Sequence, residues 1–308
     1  LMEISTGTPA RVRPLARAPG TSSLGAGLVL ATLAGNAHAI DVDAGEYTAA
    51  LPAGSTIGLL YLQDTQRRSL YSDGHKVPIK AGLDSEIGIL RVAHYQTLGD
   101  YTINTQFLLP FGRMEGKRDN DALGQANGVG DLVLASTLWL VNDPAKNRYW
   151  GIAPYLYVPT GHYDRNDALN LGENRWKLTL QTGYVTGLTE RLSLDLTADV
   201  TLFDKNDDLT SQGLTLRQKP LWQAQTYLRY AVTPKLSVHV GASRLWGGET
   251  RIDGQDQNDE PDTAKYRVGS SYWITPTFQA LLNYGQDVSV DNGFKEQQRV
   301  NLRLLWLF

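Results

Sequence analysis

Apolar and polar positions alternate with period two along most of this chain. Leu192, Leu194, Leu196, Ala198, Val200 and Leu202 share one parity, and Ser193, Asp195, Thr197, Asp199 and Thr201 share the other. The same rule sets Val300, Leu302, Leu304, Trp306 and Phe308 against Arg299, Asn301, Arg303 and Leu305, and Leu236, Val238, Val240 and Ala242 against Ser237, His239, Gly241 and Ser243. Trp176, Leu178 and Leu180 likewise oppose Lys177, Thr179 and Gln181. Successive side chains of a strand point to opposite faces, so each segment predicts a β-strand with one apolar and one polar face. Two segments resist this reading. Thr56–Arg68 and Ser85–Gln96 place apolar residues on both parities (Leu59 and Leu60; Ile89, Leu90 and Val92), which leaves their register open. Alternation by itself fits a soluble sandwich as well as a membrane barrel.

Punctuation separates the two. Short turns fall at Leu98–Asp100, Asn142–Pro144, Gly187–Glu190, Thr233–Pro234 and Thr275–Pro276. Long polar stretches lie between them: Ser72–Lys80, Arg113–Asn127, Gly161–Glu173, Asp204–Leu214, Gly247–Thr263 and Val288–Lys295. Five short turns and six long loops join twelve strands. Short turns at one end and long loops at the other characterise bacterial outer-membrane barrels, whose turns face the periplasm. Tyr101, Trp150, Trp176, Tyr184, Tyr230, Tyr266, Tyr272, Trp306 and Phe308 gather toward strand ends on the apolar parity. Interfacial girdles sit there, because the ring is apolar and its polar tip stays wet. The expected fold is therefore all-β: a twelve-stranded antiparallel transmembrane barrel over residues 55–308.

Composition removes few alternatives. No stretch reaches the ~20 apolar residues of a membrane helix, and mean hydropathy is -0.30. A barrel passes both tests, since only alternate residues meet lipid. Residues 1–39 read as a cleaved secretory leader: Arg11, Arg13 and Arg17 precede the apolar run Leu24–Ala34, and Ala37-His38-Ala39 forms an A-x-A site. The chain has no cysteine and a net charge of -3. No basic block points to nucleic acid.

Several passages resemble the outer-membrane channels associated with the meta-cleavage pathway of phenol degradation. They are Asp43-Ala44-Gly45-Glu46-Tyr47 with Leu51-Pro52-Ala53-Gly54, Gly128-Val129-Gly130-Asp131-Leu132, and Pro159-Thr160-Gly161-His162-Tyr163. Asn170-Leu171-Gly172-Glu173-Asn174-Arg175-Trp176, Gln218-Lys219-Pro220 and Leu245-Trp246-Gly247-Gly248-Glu249-Thr250 complete the set. Each is short and glycine-rich, and their order and spacing over nearly the whole mature chain carry the match. The resemblance implies a narrow twelve-stranded barrel for uptake of hydrophobic molecules. It also implies that the segment before the first strand folds into the lumen.

The polar parity supplies the candidate lumen residues: Lys177, Gln181, Asp195 and Asp199, then Gln223, Gln225, Arg229 and His239, and finally Arg267, Arg299 and Arg303. Mixed signs favour pairing across a small interior over one selective field. Residues 40–54 lack a steady period and bear Asp41, Asp43, Glu46 and Tyr47. On the residues alone this is a periplasmic tail. With the resemblance it becomes a lumenal plug whose carboxylates meet Arg229, Arg267 or Arg303. Pro110, Pro154, Pro159 and Pro220 interrupt or flank strands. A proline gives no ladder donor, so each marks either the end of regular pairing or a lateral opening through which an apolar solute leaves. No G-x-S-x-G elbow or paired-histidine zinc spacing accompanies His75, His94, His162 or His239, so no enzyme, metal or cofactor is expected. The alternatives are a structural or adhesin-like barrel and a narrow unselective pore. The expected partners are the bilayer and lipopolysaccharide, a small hydrophobic solute, and the assembly machinery reading the strand that ends at Phe308, with the barrel a monomer.

Overall fold

The computed structural model describes residues 41–48 and 50–308, so the expected leader lies outside the described residues. Twelve long strands form one sheet. They are β1 (Thr56–Ser72), β2 (Leu83–Leu98), β3 (Tyr101–Gly116), β4 (Leu132–Asp143), β5 (Arg148–Val158) and β6 (Lys177–Gly187). The second half comprises β7 (Leu192–Phe203), β8 (Leu221–Ala231), β9 (Leu236–Gly247), β10 (Asp262–Thr275), β11 (Phe278–Val290) and β12 (Gly293–Leu307). Each pairs antiparallel with the next, and β12 pairs with β1 (Ile57 opposite Leu307, Tyr61 opposite Arg303, Gln63 opposite Asn301), which closes the barrel. Closure leaves no unpaired edge in a solvent that cannot hydrogen-bond one.

Alternation decides which face is which. Along β7, Ser193, Asp195, Thr197, Asp199 and Thr201 are buried, whereas Leu196 and Leu202 are exposed. Leu62, Leu90, Leu134, Val240 and Leu282 are exposed in the same way on other strands. The apolar face therefore points outward and the polar face inward, the reverse of a soluble sandwich. Leu282 would strand its surface in water; against acyl chains it is at home.

The turns repay their sequences. Thr189 and Thr233 play equivalent parts, each hydroxyl accepting the N–H groups two and three residues on, from Arg191 and Leu192 and from Lys235 and Leu236. At the opposite end, Asn206–Leu209, Leu214–Gln218, Thr250–Ile252 and Gln255–Asp256 form a separate four-stranded sheet within the long loops. One expected long loop is a tight turn. β11 runs on to Val290 and β12 begins at Gly293, so the expected long loop Val288–Lys295 shrinks to Asp291 and Asn292. Beyond the bilayer both faces of a strand meet water or loops, so the ladder continues after its polarity pattern has faded.

Candidate functional site: an occluded lumen

Residues 41–48 lie inside the barrel and are held by the wall at nearly every step. Gln223 Nε2 donates to Asp41 Oδ1 at 2.8 Å, and the Tyr227 hydroxyl donates to the Val42 carbonyl at 2.8 Å. The Gly45 N–H donates to Asp195 Oδ2 at 2.7 Å, and the Tyr47 hydroxyl donates to Gln181 Oε1 at 2.9 Å. Arg229 Nη2 donates to the Thr48 hydroxyl at 2.9 Å. The Tyr47 ring lies flat on the wall where two glycines make room. A Cβ added at Gly183 would stand 2.0 Å from Tyr47 Cδ2, and one at Gly151 would stand 2.7 Å from Cδ1.

Charge pairing accompanies this docking. Asp41 meets both Arg267 and Arg299, the latter at 2.7 Å. Asp43 meets Arg303 at 3.4 Å and accepts from Asn283 Nδ2 at 2.8 Å, and Glu46 meets Arg91 at 2.6 Å. Arg229, expected to meet the segment's carboxylates, instead forks onto Asp195 of the neighbouring strand. It reaches the segment through its bond to Thr48 and lies beside Gly45. Isolated charges inside a narrow barrel are costly to desolvate, so each guanidinium needs a carboxylate. The wall supplies one for Arg229 and for Arg67, whose partner is Glu296 at 3.0 Å. For Arg91, Arg267 and Arg303 the inserted segment supplies it.

The remaining lumen candidates lie on the inward face as well. Gln181 donates to Asp199 at 3.3 Å, Gln223 and Gln225 face the segment, and Lys177 pairs with Glu173. His239 bonds the Asn283 side chain and packs edge-on against Tyr227, with ring centroids 5.8 Å apart. Among the described residues no group of three or more His, Cys, Asp or Glu could hold a metal ion. Arg91 was missed because β2 is apolar on both faces. Its contribution is large: besides Glu46, it donates to Tyr61 and Gln106.

Two apolar clusters close the ends. Leu51 and Ala50 pack on Ile57, Leu59, Tyr95 and Trp139 at the short-turn end. At the loop end Leu70, Ala81, Leu83, Ala126, Leu169 and Phe294 form a second cluster, with Met114 and Leu171 against it. Between the clusters lies a cavity of about 310 Å³. Its lining mixes polar groups (Tyr61, Arg91, Lys177 and Arg299) with apolar ones (Ile87, Ile89, Leu108, Met114, Val133 and Leu171).

The cavity reaches a fault in the wall. Pairing of β3 with β4 stops at Leu108 opposite Val133. The Pro110 ring carries no N–H, and a single bond from the Gly130 N–H to the Pro110 carbonyl, 2.9 Å long, bridges the break. Beyond it β3 pairs with the short strand Gln125–Val129 instead. The cavity is lined here by inward Leu108 and Pro110, by Gly130, and by Phe111, which projects outward and is 39% exposed. The other three prolines lie elsewhere. Pro154 leaves a gap in the β4–β5 pairing between Ala135 and Leu138, and Pro159 and Pro220 stand just outside β5 and β8, where pairing ends. Among the four, only Pro110 touches the cavity.

An inverted barrel, polar within and apolar without, filled by its own N-terminal segment, is an outer-membrane β-barrel channel in contact with the bilayer. A family model described as "Putative MetA-pathway of phenol degradation" matches residues 67–304, and the chain belongs to that family. The crystal structure of the COG4313 outer membrane channel from Pseudomonas putida F1 is similar at 43% identity and a TM-score of 0.84, covering 87% of this chain and 100% of that one. The β domain of the Bordetella autotransporter BrkA aligns at 11% identity and a TM-score of 0.49, over 83% of this chain and 100% of that one. No curated protein matches the chain.

Proposed function

We propose that this channel takes up small hydrophobic molecules, aromatic compounds among them, and releases them sideways into the bilayer at the Pro110–Gly130 break. The observation that carries this reading is the cavity lining. A partly apolar space inside the barrel reaches an outward-facing, lipid-exposed side chain, Phe111, at a break in the wall's pairing. Segment 40–54 acts as a plug. With Leu51 packed into the short-turn end and three carboxylates paired to wall arginines, it blocks the straight path to the periplasm and leaves the side exit as the low-cost route. The lipid-exposed band suits a monomer among phospholipid and lipopolysaccharide, and the final strand suits recognition by the assembly machinery.

A staple across the break tests this. A Cβ at Gly130 would lie 3.2 Å from the Pro110 Cβ, close to the ~3.5–4.5 Å of a disulfide. In proteoliposomes, the oxidised Pro110→Cys/Gly130→Cys variant is expected to lose uptake of the apolar dye N-phenyl-1-naphthylamine, and reduction is expected to restore it. Undiminished uptake by the oxidised form would overturn the side exit. Free passage of arabinose through the wild-type barrel would instead make it an unselective pore.

A further inference from the structure

Asp131 occupies the turn between Gln125–Val129 and β4, beside the wall break, and it is buried. Its two carboxylate oxygens serve two distant points of one loop. Oδ1 accepts the N–H of Gly161 at 2.9 Å, and Oδ2 accepts the N–H of Glu173 at 3.0 Å. One side chain thus clips together the start and the end of the long loop that joins β5 to β6. The loop cannot tolerate slack at that point. Gly161 and Gly172 are in such close contact that a Cβ at Gly172 would stand 2.7 Å from the Gly161 carbonyl carbon. The His162 N–H also reaches the Val129 carbonyl at 2.8 Å, tying the loop to the same turn.

What the loop carries gives the clip its meaning. Leu169, only 1% exposed, is seated in the apolar cluster over the mouth of the barrel. Leu171 packs against that cluster and also lines the cavity, as does Met114. The same loop therefore stoppers the outer mouth and lines the internal space beside the break, where a Cβ at Gly130 would stand 3.2 Å from the Leu171 carbonyl oxygen. Three glycine-rich passages far apart in the chain, around Gly130, Gly161 and Gly172, meet at one carboxylate.

We propose that Asp131 is the positioning residue of a gate: it holds the loop between β5 and β6 closed over the mouth, and release of its two hydrogen bonds lifts Leu169 and Leu171 and admits an apolar solute to the cavity. This rests on the reading of the barrel as an apolar-solute channel, but the clip itself can be judged without any solute. An apolar molecule arriving at the mouth finds a dry, alkyl-lined seal that costs it no desolvation to enter. A sugar or an ion would have to shed water first. The gate thus selects by polarity before the cavity selects by size.

Two measurements on the full-length barrel, in detergent and in proteoliposomes, decide the matter. In Asp131→Ala, hydrogen exchange of the amides in 161–173 is expected to quicken by about tenfold or more, as for loss of ordinary hydrogen bonds, while the barrel strands keep their protection and the protein keeps its heat-modifiable migration. Dye uptake is expected to rise in the same variant. Asp131→Asn keeps one acceptor oxygen but turns an NH2 toward the second N–H, so it should fall between wild type and alanine in both readouts. A residue that merely supports the fold would lower uptake when removed, not raise it. Unchanged exchange in 161–173 would overturn the clip. Quickened exchange with unchanged or reduced uptake would overturn its role as a gate. Wild-type barrels that carry no dye would sink the uptake reading, and the exchange arm would still decide the clip.

Discussion

Asp41 shows why the inserted segment stays in place. Its carboxylate sits between Arg267 and Arg299, and Asp43 and Glu46 neutralise Arg303 and Arg91. A buried pair of this kind adds little net stability, since both partners have left water, but removing one partner costs ~3–5 kcal/mol because the other charge remains. In Asp41→Asn/Asp43→Asn, Arg267 and Arg303 lose their carboxylates, while Arg299 keeps Glu296 at 3.5 Å and Arg91 keeps Glu46; for the two stripped arginines water and anions become the best partners. The plug is expected to undock and single-channel conductance to rise several-fold; planar-bilayer recording checks it, and wild-type conductance would count against a plug. Gly183→Ala should reach the same end without altering charge, because its methyl group occupies the place of the Tyr47 ring. The carboxylates were legible in the sequence as unpaired charge ahead of the first strand, and Arg267 and Arg303 as inward-parity cations. The true partner of Arg229 was not. Asp195 lies on β7, the strand beside β8, and Asp195 is opposite Tyr227, one step from Arg229 on the same inward face. That diagonal geometry exists only once the strands are paired.

At the scale of elements, the two strands whose register could not be read prove the most informative. β1 and β2 defied assignment because apolar residues occupy both parities. Their structure supplies the reason. Leu60, Leu62, Leu90 and Val92 face lipid, while Leu59 is buried inside and Ile87 and Ile89 line the cavity. Alternation fails where the lumen wall itself carries apolar residues, at Leu59, Ile87 and Ile89. The loop between β5 and β6 carries its own electrostatics. Glu173 bonds Arg175 and Lys177. Burial alone would raise its pKa, but the Lys177 and Arg175 charges and hydrogen bonds outweigh burial and draw it from 4.5 to about 2. The group is therefore depressed in the folded state, so its contribution is complete above pH 4.5 and is lost as pH falls toward about 2. Resistance of this loop to an acid-active protease such as pepsin is expected to hold steady above that window and to collapse within it. Glu173→Gln should show weaker resistance with little pH dependence across the same range.

On the scale of the whole molecule, the barrel is shut at both ends and weak at one side. Leu51 and its neighbours seal the short-turn end, the cluster around Leu169 seals the mouth, and the wall falters at Pro110. The space enclosed is about 310 Å³, the lower end of the ~300–1,000 Å³ typical of small-molecule sites. Twelve strands set this ceiling: a circumference of that size leaves room for side chains and little more, and here residues 41–48 take part of it. A solute must therefore fit among Tyr61, Arg91, Ile89, Leu108 and Val133. A planar molecule with one or two rings can do so while keeping its faces on the alkyl groups. A four-ring hydrocarbon is apolar enough to pass the mouth but too large for the chamber while residues 41–48 stay docked in it. Uptake into proteoliposomes containing a fluorescent reporter should therefore fall steeply between naphthalene-sized and pyrene-sized solutes at matched hydrophobicity. Replacing Ile89 by Ala removes bulk from the inward face without touching the wall hydrogen bonds, and should move that limit upward. Pyrene crossing the wild-type barrel as fast as naphthalene would show that solutes bypass the cavity, and the side exit at Pro110 would then have no chamber to drain.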